Sequence, residues 1–158
     1  MALRNIRKIG DPVLNKKCRE VTEVTDKIKI LIGDMLETMY DAMGVGLAAP
    51  QVGILKRIVV IDVTEQGNEP IILINPQIIE TSGSQTGEEG CLSVPKKSGV
   101  VTRPNYVKVR AFNEDMQEIE YEGEGLLARA FCHEIDHLDG HLYVEKVEGP
   151  LHTVTQEE

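Results

Sequence analysis

The run His133-Glu134-Ile135-Asp136-His137 carries the residues of this sequence best suited to chemistry. Residues four apart on a helix share a face, so His133 and His137 would offer two imidazole nitrogens to one ion. Glu134 falls about 100° further round the helix, within reach of a water beside that ion. Two neutral ligands leave a divalent metal strongly Lewis acidic, and a neighbouring carboxylate can take the water's proton. On its own the run also fits a solvated helix that carries two histidines by chance. A catalytic metal needs a third protein ligand and an open position. Peptidases with the same two-histidine run find that ligand downstream, at a histidine six residues on or at a glutamate on a separate helix. Here the first of those positions is Tyr143, His141 falls short of it, and the polar remainder of the chain lacks a helical pattern. The best candidate lies upstream. Cys91 follows Gly90 in a segment that reads as loop, and a thiolate is a strong ligand for transition metals. Cys18 and Cys132 read as core thiols.

The elements that must position these residues can be read from periodicity. From Leu126 to Leu138 the spacing predicts a helix, with Leu127, Phe131, Ile135 and Leu138 on a core face. Leu126, Ala130, His133 and His137 share the adjacent face, with Glu134 between the two. Gly123 and Gly125 precede this helix and Gly140 follows it, as a stop would. A second helix is expected over residues 26–43, with Gly44 as its C-cap. The stretch Gly44–Gln51 is rich in small residues, and its composition points to a tight helix-to-strand connection. Strands are expected at 57–63, at 71–75 where Pro76 stops it, briefly at 78–81, at 100–101 and at 106–112. The last of these turns back at 118–121 as a hairpin. Residues 1–24 read as an extended arm, 82–90 as loop and 149–158 as a frayed tail.

A chain of 158 residues can bury one sizeable core, so residues 1–158 are expected to form a single domain. Without Trp and with only two Phe, aliphatic side chains must fill that core. A net charge of −9 argues against a nucleic-acid partner held by phosphate neutralisation. The N-terminus lacks an apolar signal region, and no apolar run reaches the roughly 18 residues of a membrane span. The expected location is therefore the cytoplasm, with no membrane contact. Three cysteines are too few and too odd a set for a disulfide framework.

Three segments taken in order resemble the peptide deformylase family. They are Gly44-Val45-Gly46-Leu47-Ala48-Ala49-Pro50-Gln51, Glu89-Gly90-Cys91-Leu92-Ser93 and the His133–His137 run. Gly10-Asp11-Pro12-Val13-Leu14 and the helix after it are also similar, so the likeness covers roughly residues 1 to 145.

The resemblance implies an α+β fold, with antiparallel or mixed sheets around a central metal-binding helix and a helix near the N-terminus. It implies that Cys91, His133 and His137 hold one divalent metal, iron(II) in cells, with zinc, nickel or cobalt able to substitute. The substrate would be the formylmethionyl N-terminus of a newly made polypeptide, and formate would be released. Glu134 would be the base, and Gln51 and the Leu92 N–H would donate to the oxyanion. Gly44, Val45 and Gly46 would line up the substrate backbone, and Val45, Leu126, Ala130 and the His133 ring would hold the methionine side chain. Metal-bound histidines usually pass their other N–H to a carboxylate, for which Glu89 is a candidate. Asp136 would pair with Arg103.

The chain departs from the family pattern in two places. It stops soon after Val147, where many bacterial members continue into a C-terminal helix, so ribosome docking through such a helix is not expected and any ribosome contact would be transient. Gly87 and Arg129 stand where many relatives carry aliphatic residues near the pocket, which leaves its shape and selectivity open. A small metallopeptidase would share the two-histidine run but lacks its downstream ligand here. A structural metal module would need no base, so Glu134 speaks against it.

Overall fold

The computed structural model describes residues 2–154. Among them are two α-helices and eight strands. Helix α1 (Asp26–Asp41) begins where the Thr25 side chain accepts from the Ile28 N–H. It ends before Gly44: Ala42 is the C-cap, and Met43 turns the chain with a φ of 60°. The Gly44–Gln51 stretch is more regular than its composition indicated. Strand β1 (Gly46–Ala48) and a 3-10 turn (Ala49–Val52) form there, ordered by pairing of β1 with β2 (Ile58–Ile61).

Strand β3 (Ile71–Ser82) does not stop at Pro76. Asn75 takes a φ of 52°, and its side chain exchanges two 2.8 Å hydrogen bonds with the Val21 backbone. The register shifts across Pro76, so the strand bulges around the missing donor and continues. With β6 (Tyr106–Phe112) and β7 (Glu118–Glu124), these strands make an antiparallel sheet ordered β1-β2-β3-β6-β7. Val59, Ile61, Leu73, Val107 and Val109 pack in one core with helix α2 (Leu126–Leu138), while Ile58, Val60 and Ile74 pack with α1. Covered faces on both sides explain why Ile58–Ile61 is an unbroken apolar run.

A second antiparallel sheet, ordered β4-β5-β8, consists of β4 (Gln85–Cys91), β5 (Val94–Arg103) and β8 (Glu148–Thr153). Two expectations fail here. Residues 82–90 are not a loop, because most of them belong to β4, whose inward side chains are polar instead of apolar. The tail is not frayed as far as it is described: Lys97 pairs with Thr153 and Ser98 with His152 along the outer edge of β5. The side chains of β8 are exposed, so no burial pattern betrays it. Residues 155–158 of the expected tail lie outside the described residues. Helix α2 sits between the two sheets, its apolar face on the larger one and its histidine face towards β4.

Gly140, with a φ of +84°, closes α2, and a Cβ there would lie 2.8 Å from the Asn15 carbonyl carbon. Gly140→Ala is expected to cost about 2 kcal/mol through left-handed strain and this clash. Urea unfolding measures it, and an unchanged midpoint would contradict the packing of the N-terminal arm on this corner.

Candidate active site

Cys91 ends β4, and His133 and His137 lie one turn apart on α2. The fold brings one ligand atom from each to within 4.8 Å of the others. The Cys91 sulfur lies 3.3 Å from His137 Nε2. Both histidines are buried, and Cys91 is half-buried. One sulfur and two imidazole nitrogens suit a divalent transition metal, not magnesium or calcium, which take oxygen ligands. His133 Nδ1 is engaged by Glu89 at 2.6 Å, which leaves its Nε2 for an ion. Burial first, and then the neighbouring His133 and Arg103 charges, bring His137 down to about 3, the uncharged state an ion requires. The residues present therefore fit such a metal.

Glu89 and Asp136, read from sequence as separate partners, are joined through Arg103 in one cluster, with Glu89 buried and Asp136 half-buried. The Glu89 carboxylate accepts from Arg103 Nη2 at 2.7 Å, from Arg129 Nη1 at 2.7 Å and from His133 Nδ1. Arg103 Nη1 also reaches Asp136 at 2.8 Å. Burial by itself would raise the Glu89 carboxyl, but hydrogen bonds from His133 and Arg103 outweigh it and hold the group well below the usual carboxylate range.

Glu134 packs against β1. A Cβ on Gly46 would lie 2.6 Å from Glu134 Oε2, so the glycine makes room for this carboxylate. Likewise a Cβ on Gly44 would meet Leu92 Cδ1 at 2.7 Å. Glu134 Oε1 is buried without a hydrogen-bond partner among the described residues, and burial pushes the carboxyl up to about 7. The Gln51 side chain is fixed by its Oε1, which accepts from the Ala48 N–H at 3.0 Å. Its Nε2 therefore faces Cys91 Sγ at 3.6 Å and Ser93 Oγ at 3.1 Å. A cavity of about 480 Å³ opens above this group, bordered by Gly44, Val45, Leu92, Leu126, Ala130 and His133.

Three neighbours make contacts that the sequence reading did not assign. Ser93 is fully buried, holds the Gln51 amide and donates its N–H to the Cys91 sulfur at 3.4 Å. Its place in the Glu89–Ser93 segment was the available signal. Tyr143, considered only as a failed ligand position, stacks on His133 with centroids 6.0 Å apart. Arg129 was noted near the pocket, but nothing local in the sequence showed its bond to Glu89. His141 is exposed and pairs with Glu145 at 3.1 Å, away from the site.

The family model for polypeptide deformylase matches residues 3–151. The chain is 74% identical over 158 residues to a peptide deformylase of Agathobacter rectalis, spanning 100% of this chain and 98% of that protein. It is 60% identical over 146 residues to one from Clostridium botulinum, spanning 92% and 97%. Among solved structures, a peptide deformylase from Legionella pneumophila aligns with a TM-score of 0.90 at 42% identity, covering 92% of this chain and 86% of that one. One from Thermotoga maritima aligns at 0.88 and 44% identity, covering 93% and 99%. The α+β arrangement expected from the sequence is the fold these proteins share.

Replacing Glu89 by Gln removes the charge that two arginines face, and is expected to cost about 3 kcal/mol. Because the folded carboxyl is held below its unfolded value of 4.5, its stabilisation is complete above that pH and is lost as pH falls towards the folded value. The gap between wild type and Glu89→Gln, measured by urea unfolding with chelator present, should be full at neutral pH and narrow below 4.5. A gap constant down to the lowest pH tolerated would contradict the cluster.

Proposed function

The chain belongs to the polypeptide deformylase family, and from that premise we propose how its residues remove the formyl group from the N-terminal methionine of newly made polypeptides. The reaction is hydrolysis of a formamide, giving formate and a free amine. The family depends on a metal. Cys91, His133 and His137 would hold it, and the nitrogen–sulfur donor set supports a transition ion, iron(II) in cells, with zinc, nickel or cobalt as substitutes. When bound there, the ion supplies Lewis acidity that makes an adjacent water easier to deprotonate.

The chain's own groups do the rest. Glu134 takes the proton of the attacking water through its unpartnered Oε1 and passes it to the leaving nitrogen. A carboxylate whose proton affinity has been raised by burial is suited to both halves of that transfer. Charge that develops on the formyl oxygen is met by the Gln51 Nε2–H and the Leu92 N–H; loss of one such donor typically costs about 10²–10³ in rate. The methionine side chain lies among Val45, Leu126, Ala130 and the His133 ring. Strand β1 is an edge of its sheet, so the substrate backbone can add alongside Gly44–Gly46. Glu89, with Arg103 and Asp136 behind it, fixes the His133 ring.

The same reading puts the protein in the cytoplasm, with at most transient ribosome contact. Among the described residues no helix is long and apolar enough to cross a membrane. The observation that carries this reading is the convergence of Cys91, His133 and His137 beside a buried, unsatisfied Glu134.

Glu134→Ala is expected to keep its metal and lose about 10²–10⁴-fold in formate release from formyl-Met-Ala-Ser. Metal analysis of anaerobically prepared protein should find iron. Cleavage of a peptide bond without formate, or full turnover in the variant, would reject the assignment.

A further inference from the structure

We propose that Arg129 gives the methionine pocket a hydrogen-bonding floor, so that the enzyme also deformylates chains whose first residue is methionine sulfoxide. The proposal deepens the pocket assignment above and rests on it. Arg129 lies one helical turn after Leu126, and both line the same cavity. Leu126 is 51% exposed and Arg129 only 7%, so the leucine stands at the rim of the cavity and the arginine lies deeper.

The guanidinium is seated by the inward face of β4. Arg129 Nη1 reaches Glu89 Oε2 at 2.7 Å and the Val101 carbonyl at 3.1 Å, and Nη2 reaches Gln85 Oε1 at 3.5 Å. Between Gln85 and Glu89 on that face stands Gly87, where a Cβ would already be 3.5 Å from Nη2. A longer side chain at Gly87 would compete for the guanidinium's place. The missing side chain at 87 and the long one at 129 therefore form one built feature. A guanidinium has five N–H donors. Two of them, the Nε–H included, have no protein acceptor among the described residues.

Charge decides what those donors suit. The Arg129 guanidinium is already paired with the Glu89 carboxylate, so the floor is polar while that charge is countered. It asks for a neutral acceptor, and an acidic side chain would meet the Glu89 carboxylate. A thioether sulfur is only a weak acceptor. A sulfoxide oxygen is a strong, neutral one on a side chain of the same length, and methionine sulfoxide is a common oxidative lesion. An entirely apolar pocket would strip that oxygen of water and return nothing. The hydrolysis itself is unaltered: a carbon–oxygen bond forms from water, the formyl carbon–nitrogen bond breaks, and the sulfur keeps its oxidation state.

The test compares formate release from formyl-Met-Ala-Ser and from its sulfoxide by the metal-loaded wild type, Arg129→Met, Arg129→Lys and Gly87→Val. In wild type, kcat/KM for the sulfoxide should fall within about tenfold of that for the thioether. Arg129→Met should lower the sulfoxide-to-thioether ratio at least about tenfold, with part restored in Arg129→Lys. Gly87→Val keeps the arginine but crowds it, should also lower the ratio, and decides the matter should Arg129→Met not fold. No formate from either peptide overturns the deformylase assignment itself. Formate from the thioether with a sulfoxide gap wider than about tenfold, or a ratio unchanged by these substitutions, overturns only this proposal.

Discussion

Much of the site depends on one buried carboxylate. Glu89 collects Arg103 from β5, Arg129 and His133 from α2, and is itself carried by β4, two residues before Cys91. A carboxylate taken out of water is costly unless its lone pairs are met by donors. Here the donors come from different elements, so satisfying the charge also fixes the distance between helix and sheet. That distance places the Cys91 sulfur opposite two imidazoles. The orientation of His133 and the reach of Cys91 are thus consequences of the same electrostatic requirement.

The larger sheet supplies the rigidity behind this arrangement. It is covered by α1 on one face and α2 on the other, and its strand β2 is fully buried. Helix α2 therefore cannot tilt without disturbing the contacts of Phe131, Ile135 and Leu138. The reactive face of the helix is turned to the smaller sheet, where polar side chains replace the apolar ones a core would carry. Rigidity and reactivity are divided between the two faces of one helix.

What was legible in the sequence follows from this division. Helix α2 could be read to its ends, because its apolar stripe obeys the helical period and glycines flank it. The pairing of Cys91 with the histidines was legible from residue type, since a two-histidine run without a downstream ligand leaves a thiol as the natural third donor. Strand β4 was not legible, because its inward residues Gln85, Gly87 and Glu89 serve guanidinium groups and break the pattern that marks a buried strand. Strand β8 was hidden for the opposite reason: with its side chains exposed, only backbone pairing defines it. The stop expected at Pro76 was overridden by Asn75, whose side chain ties the bulge to the N-terminal arm. Arg129 could be placed near the pocket but not paired, because its partners lie on strands far away in sequence.

Gly46 leaves a hollow on β1 that the Glu134 carboxylate fills. The two positions are therefore sterically interdependent. Any side chain at 46 would evict the carboxylate from its seat. A shorter acid at 134 would leave the hollow to solvent. The glycine is thus the negative imprint of the group it accommodates.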